Sequence, residues 1–215
     1  MLPLFQAMRP HQWIKNLLVL AALVFSNHLF QPDYLLRGAI AFILFCLISS
    51  AVYLLNDIRD VENDRLHPVK KNRPIAAGRL NISTAAVAAT IIGAAVLWTG
   101  FQMSRPFGAV LVFYGVLNVA YSFHLKNVVI LDVMIIAVGF LLRAAAGALA
   151  IEVDISSWFI LCTMLLALFV AIVKRRQEII LLEDSAVDHR RILNEYTPQF
   201  LDQMIAIVTA CALVS

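Results

Sequence analysis

Charged residues are scarce in this chain of 215 residues, of which only 14% are Asp, Glu, Lys or Arg. Soluble domains carry about 25% charged residues, so this deficit excludes an ordinary soluble domain. Hydrophobic residues make up 61% of the chain, and its mean hydropathy is +0.84. The composition therefore predicts an integral membrane protein, and we expect no nucleic-acid partner.

Cysteine is also scarce, and its pattern excludes a disulfide framework or a CxxC redox site. Cys46, Cys162 and Cys211 lie far apart in apolar runs, where a free cysteine acts as a small core residue. The sequence also lacks a convincing combination of histidine with serine or cysteine for nucleophilic catalysis. Any catalysis must therefore use other residue types.

Long apolar runs dominate the rest of the chain. Because about 20 apolar residues cross a bilayer as a helix, we predict spans over these residues: 17–31, 38–55, 82–101, 107–122, 129–150, 156–173 and 200–215. The amphipathic residues 1–16 are predicted to lie at the membrane surface. The predicted fold class is an all-α integral membrane bundle of about seven spans, which forms a single domain over residues 1–215.

The distribution of basic residues predicts the orientation of these spans. Fourteen of the 17 Lys and Arg residues lie in residues 1–16, 56–80, 121–128 and 174–199. Loops rich in Lys and Arg stay on the cytoplasmic side, so we predict that the N-terminus and these loops are cytoplasmic. The segments 56–80 and 174–199 are the predicted active-site segments.

An acidic row, NDIRDVENDR at residues 56–65, directly follows the second predicted span. Asp57, Asp60 and Asp64 are three and four residues apart, so they share one face of a helix. Neighbouring carboxylates repel each other unless a cation lies between them, and Mg²⁺ prefers oxygen ligands while it contacts substrate phosphates. We therefore predict that these three aspartates bind Mg²⁺, although a solvated acidic helix end is the alternative.

Basic residues follow the acidic row within one short loop, where Lys70, Lys71, Arg73 and Arg79 lie close together. Such residues could satisfy the positive-inside rule, hold anionic lipid headgroups or bind a phosphorylated substrate beside the metal. The alternation of bases with carboxylates favours the third interpretation, a site for metal and diphosphate.

Arg143 lies inside the fifth predicted span, eleven residues after Asp132. At a rise of about 1.5 Å per residue it is roughly 16 Å deeper in the membrane. A charge at that depth must face the bundle interior or a wet cavity. It either belongs to a functional site or forms a structural contact with an ion partner or a carbonyl, and the sequence leaves both open.

Together these motifs resemble the UbiA superfamily of intramembrane prenyltransferases, over essentially the whole chain. The acidic row is similar to the first aspartate-rich motif of that superfamily. The opening RPHQWIKN at residues 9–16 and the segment KRRQE at 174–178 are most like the branch of decaprenyl-phosphate phosphoribosyltransferases. The superfamily's second aspartate-rich motif has no clear copy in this chain. By position it corresponds to the region around Glu178, which we rank above Asp184 and Asp188 as its counterpart. Members usually have nine spans and seven can be placed here, so we expect that either the sequence is truncated or the closing helices are absent.

The resemblance implies a glycosyltransferase, specifically a phosphoribosyltransferase. It would move 5-phosphoribose from 5-phosphoribosyl diphosphate to decaprenyl phosphate or another polyprenyl phosphate, with Mg²⁺ as cofactor. The product would serve as a cell-wall arabinan precursor made in the bacterial inner membrane. The implied substrate-binding residues are Lys15, Asn56, Arg65, Lys70, Lys71, Arg73, Tyr121, Lys126, Asp132, Arg143, Lys174, Arg175 and Glu178. Whether the protein forms a homo-oligomer is left open.

Two other functions remain open at this point. The first is an ordinary UbiA-type prenyltransferase, which moves a prenyl group from prenyl diphosphate to an aromatic or other acceptor. The second is a non-catalytic membrane protein such as a transporter, because charges within the membrane also mark transport pathways.

Overall fold

The computed structural model describes residues 2–123, 125, 128, 130–183 and 197–215. Within these residues every regular element is helical, and the predicted all-α class is confirmed. In chain order the α-helices are α1 Leu2–Ala7, α2 Ala21–Phe25, α3 Pro32–Arg59, α4 Val61–Leu66, α5 Ile82–Met103, α6 Arg105–Phe123, α7 Leu131–Ile151, α8 Ser157–Glu183 and α9 Pro198–Val214. Two 3-10 helices cover Pro10–Leu20 and Lys70–Asn72.

Five of these helices are long and apolar enough to cross a membrane: α3, α5, α6, α7 and the part of α8 from Ser157 to Ile180. They coincide with five of the seven predicted spans. A polar residue fixes the start of α5, since Asn81 caps this helix by accepting a hydrogen bond from the Ser83 amide at 3.0 Å. The predicted span at 200–215 lies in α9, which has only 17 residues.

The first predicted span, at 17–31, is not one continuous α-helix. The 3-10 helix Pro10–Leu20 runs directly into α2, which ends at Phe25 and is followed by turns. Three residues per turn place Trp13, Asn16 and Val19 on one face of this 3-10 helix. Both Asn16 and Val19 are buried, so this segment packs inside the protein along that face.

Polar contacts attach the same face to α3. The indole Nε1 of Trp13 donates to Ser50 Oγ at 3.0 Å, and Asn16 Nδ2 donates to Ser49 Oγ at 3.2 Å. The Trp13 indole and the Asn16 amide thus find hydrogen-bond acceptors on α3. The predicted amphipathic segment at 1–16 is thus tied to α3, where Ser50 Oγ also donates to the Met8 carbonyl at 3.0 Å.

The helices form two compact units. The first unit comprises Met1–Val119 and Ala145–Asp154, and the buried side chains of α3 and α5 meet in its core. The second unit comprises Ala120–Ala144 and Ile155–Ser215, and its core joins α7, α8 and α9. The single domain predicted over residues 1–215 stays a prediction.

Gly147 occupies a close backbone contact within the first unit. A Cβ atom added at this position would lie 1.8 Å from the carbonyl oxygen of Val19 and 2.8 Å from its carbonyl carbon. Both are backbone atoms, which cannot rotate away as a side chain can. Gly147→Ala is therefore expected to destabilise the protein by about 3 kcal/mol, the upper end of the usual cost of overpacking.

The melting temperature of the purified protein in detergent measures this effect. Gly93→Ala is the matched control, since a Cβ atom there meets nothing within 4 Å and alanine favours the helix. A melting temperature for Gly147→Ala that equals or exceeds that of Gly93→Ala would contradict the close contact.

Candidate active site

The acidic row crosses the junction between α3 and α4. Asp60 lies between the two helices, and its amide donates to the Asn56 carbonyl at 2.9 Å. The amide of Asp64 donates to the Asp60 carbonyl at 2.8 Å, so α-helical spacing continues across the junction. As a result both Asp57 and Asp64 point inward and are 2% and 3% exposed, whereas Asp60 is half-buried.

Two arginines compensate the charges of the buried aspartates. Arg9 Nη2 lies 2.5 Å from Asp57 Oδ1. Arg73 Nη1 lies 3.2 Å from the same oxygen and 2.5 Å from Asp64 Oδ2, so a single nitrogen joins the two carboxylates. Such charge-assisted hydrogen bonds are among the strongest in proteins. The structure therefore brings the predicted residues Asp57, Asp64 and Arg73 together.

Arg9 is a residue of this cluster that sequence reasoning missed. Its backbone is in the left-handed region, with φ at 54°, a conformation that costs a non-glycine residue about 1–2 kcal/mol. Its guanidinium carbon lies 4.9 Å from the centroid of the Tyr53 ring, within the range of a cation–π contact. The available signal was the RPHQWIKN opening, which marked the branch but did not reveal that Arg9 contacts an aspartate.

The cluster suits a divalent cation by donor type. Asp57 Oδ2 is buried and has no hydrogen-bond partner among the residues that the structure describes. A buried carboxylate oxygen needs a donor or a cation, and such oxygens are the ligands that Mg²⁺ prefers. However, no group of three or more His, Cys, Asp or Glu among the described residues lies close enough to hold a metal. The three-aspartate magnesium site, with Asp60 as a member, stays a prediction.

The basic loop after α4 is folded by His67. Its Nδ1 accepts hydrogen bonds from the amides of Val69 at 3.1 Å and Lys70 at 3.3 Å. The following turn leaves the side chains of Lys70 and Lys71 exposed. From this loop Arg73 reaches both Asp57 and Asp64.

Three other predicted residues of the first unit lie outside these contacts with Asp57 and Asp64. Arg65 is exposed and pairs with Glu62 at 3.1 Å, one turn earlier in α4. Lys15 is exposed on the 3-10 helix Pro10–Leu20, and Asn56 is half-buried near the end of α3. Their predicted roles in substrate binding stay predictions.

A second ionic cluster lies in the second unit. Arg175 Nε donates to Asp132 Oδ2 at 2.6 Å, and Arg175 Nη1 donates to Glu178. Asp132 is 0% and Arg175 3% exposed, while Lys174 is exposed, with its Nζ 3.9 Å from Glu178 Oε1. Four predicted residues thus come together here, although the sequence did not reveal which would pair.

Arg143 and Tyr121 complete the predicted set that the structure describes. Arg143 Nη1 donates to the Gly139 carbonyl at 2.6 Å, one turn earlier in α7, and its guanidinium carbon lies 5.4 Å from the centroid of the Phe140 ring. The carbonyl contact considered from the sequence is therefore present. Tyr121 is half-buried near the end of α6. Lys126, Asp184 and Asp188 lie outside the described residues.

Comparison with known proteins identifies the family. The model of the UbiA prenyltransferase family matches residues 16–192, most of the chain. The chain belongs to the UbiA prenyltransferase family. It is therefore a transferase whose apolar helices form a membrane-spanning UbiA fold.

Similar proteins narrow the position within the UbiA family. A decaprenyl-phosphate phosphoribosyltransferase from Mycolicibacterium smegmatis is 40% identical over 98% of this chain, which covers 67% of that relative. One from Corynebacterium glutamicum is 40% identical over 92% of this chain, which covers 61% of that relative. The chain thus spans about two thirds of the length of these relatives.

A solved structure supports the fold independently. It is a UbiA homologue from Archaeoglobus fulgidus bound to DMAPP and Mg²⁺, with a TM-score of 0.77 over 98% of this chain and 75% of that chain. Its sequence identity is 16%, so the likeness concerns the fold alone.

Proposed function

We propose that this chain transfers 5-phosphoribose from 5-phosphoribosyl diphosphate to a polyprenyl phosphate such as decaprenyl phosphate. The observation that carries the proposal is the 40% identity, over 98% of the chain, with a relative of that activity by name. The cluster of buried carboxylates and arginines in the first unit supports it, because this chemistry suits a donor that loses diphosphate.

The reaction breaks the bond between ribose C1 and the oxygen of the diphosphate, which leaves with the electron pair. An oxygen of the acceptor phosphate forms the new bond to C1. The acceptor is already anionic, so no proton has to be removed before it attacks. This agrees with the absence from the sequence of a convincing combination of histidine with serine or cysteine.

In this proposal Asp57 and Asp64 hold Mg²⁺, with Asp60 as the third predicted ligand. The cation, when bound, neutralises the charge that develops on the leaving diphosphate. Arg73 would donate hydrogen bonds to the leaving diphosphate, and Lys70 and Lys71 would add positive charge nearby in the sequence.

The second ionic cluster and the apolar helices would bind the other phosphates and the lipid tail. Arg143, Lys174 and Arg175 are candidates to hold the 5-phosphate of the donor or the phosphate of the lipid. The lipid tail would lie against apolar helices. Following the positive-inside rule, we propose that the reaction takes place on the cytoplasmic side of the bacterial inner membrane.

Membranes that contain the chain provide the test. Incubated with decaprenyl phosphate, Mg²⁺ and 5-phosphoribosyl diphosphate labelled in the ribose, they are expected to transfer label into the organic phase. A chelator such as EDTA should abolish the transfer, and excess Mg²⁺ should restore it. Membranes without the chain are the control.

Two results would overturn the proposal. If label enters lipid only from a labelled prenyl diphosphate supplied with an aromatic acceptor, the chain is an ordinary UbiA-type prenyltransferase. If neither donor yields a labelled lipid product, the phosphoribosyltransferase assignment fails as well.

A further inference from the structure

We propose that Arg9 is a donor-binding residue that exchanges its partner during the reaction. Arg9 contacts Asp57 in the structure, and it passes to the diphosphate when a divalent cation takes its place at that carboxylate. The inference rests on the proposed function only in that the site receives a divalent cation and a diphosphate.

The first step of the argument is competition for the same oxygens. Asp57 Oδ1 accepts from Arg9 at 2.5 Å and from Arg73 at 3.2 Å, and Asp64 Oδ2 accepts from Arg73 at 2.5 Å. A cation bound to these carboxylates would use oxygens that the guanidinium groups now contact. Asp57 Oδ2, which is buried without a hydrogen-bond partner in the described part of the chain, remains available to the cation.

The second step concerns which groups can move. The side chains of Asp57 and Asp64 are 2% and 4% exposed, whereas those of Arg9 and Arg73 are 20% and 24% exposed. The carboxylates are thus enclosed on short side chains, while the arginines reach them from the surface on long ones. Arg9 also lies between α1 and the 3-10 helix Pro10–Leu20, so its displacement interrupts no helix.

The third step is the charge balance. Asp57, Asp64 and the third predicted ligand Asp60 carry three negative charges, against two positive charges on Arg9 and Arg73. A divalent cation therefore leaves the site with a net positive charge. Repulsion between the cation and the arginines weakens metal binding. A diphosphate removes this repulsion by accepting hydrogen bonds from the displaced arginines. Cation and diphosphate should therefore bind with positive coupling, and each should raise the affinity for the other.

Replacement of Arg9 by glutamine separates this role from a structural one. Removing a competing charge should tighten the binding of a cation alone by about ten-fold, the equivalent of one charge-assisted hydrogen bond. The same change should weaken the binding of diphosphate by about ten-fold, since one donor to it is lost. A residue that only stabilised the fold would not move the two affinities in opposite directions.

The test uses the full chain purified in detergent. Mn²⁺ serves as the probe of the metal site, and its affinity follows from the free Mn²⁺ signal in electron paramagnetic resonance. The affinity for labelled inorganic diphosphate follows from equilibrium dialysis at saturating Mg²⁺. Arg37→Gln is the matched control, because Arg37 forms an exposed ion pair with Glu152 at 3.0 Å and should leave both affinities unchanged.

A second variant keeps the test decisive if Arg9→Gln does not fold. Tyr53→Leu removes the ring that contacts the Arg9 guanidinium and leaves the charge of Arg9 in place. Arg9 should then be displaced more easily, and Mn²⁺ should bind about three-fold more tightly. Opposite shifts in Arg9→Gln, or tighter Mn²⁺ binding in Tyr53→Leu, support the exchange. Unchanged or weaker Mn²⁺ binding in the folded variants overturns it. Both donors considered above release diphosphate, so failure of phosphoribosyl transfer would leave this outcome intact.

Discussion

Asp57→Asn is expected to lower the initial rate of lipid labelling by about 1,000-fold, the scale of the loss when a central electrostatic contribution to a transition state is removed. The variant keeps the shape of the side chain and removes its charge. Asp57 is the aspartate that both arginines contact and that retains a buried, unpartnered oxygen within the described structure. An amide in its place binds a divalent cation poorly, so the leaving diphosphate would lose its counter-charge.

Glu62→Gln is the matched control for this variant. Glu62 belongs to the same acidic row, but it is 79% exposed and its partner is Arg65, one turn away in α4. Its replacement should change the rate by less than two-fold, since exposed ion pairs contribute little. Rates are compared at equal amounts of folded protein in the membrane. Equal losses in the two variants would mean that the row acts through its total charge rather than through a metal at Asp57.

Arg175→Met is expected to lower the free energy of unfolding by about 3–5 kcal/mol, the usual effect of removing one partner of a buried ion pair. Asp132 is fully buried, and this variant would leave its carboxylate without the guanidinium 2.6 Å away. The double variant Arg175→Met with Asp132→Asn removes both charges and should recover most of the loss, because a buried pair contributes less than its separate halves suggest.

Denaturant titration of the purified protein measures this effect, and Arg176 supplies the control. Arg176 pairs with Asp202, but the two side chains are 38% and 50% exposed. Arg176→Met should therefore lower the free energy of unfolding far less than Arg175→Met does, since exposed ion pairs contribute little. Losses of similar size at Arg175 and Arg176 would show that burial does not govern the contribution of these pairs.

The sequence predicted the long helices well because their signal is simple. In α3, α5, α6, α7 and α8 an apolar run long enough to cross a bilayer is sufficient to predict a helix. A chain that faces lipid must be helical whatever its neighbours are. The spacing of the aspartates likewise predicted that Asp57, Asp60 and Asp64 share one helix face, and α-helical spacing does persist through Asp60.

Other features could not be predicted because they depend on residues far apart in sequence. Arg9 reaches Asp57 across 48 positions, and Arg175 reaches Asp132 across 43 positions. No local pattern identifies such partners. The sequence therefore identified Asp132 and Arg175 as candidates for binding without showing that they neutralise each other.

The 3-10 helix Pro10–Leu20 was missed for a different reason. A search for amphipathic helices assumes 3.6 residues per turn, whereas the buried side of this segment repeats every three residues. Trp13, Asn16 and Val19 would spread over a wide arc of an α-helix. The sequence was therefore divided at residue 16 into a surface segment and a span, although the structure continues through that point.

This repeat of three residues also determines which sequence changes the 3-10 helix Pro10–Leu20 can accept. Each position on the side facing α3 can accept another residue of similar size and polarity, since only its own contact changes. Loss or gain of a single residue would rotate everything beyond it by a third of a turn and would move Asn16 and Val19 out of the interior. The length of this stretch is consequently under tighter constraint than its composition.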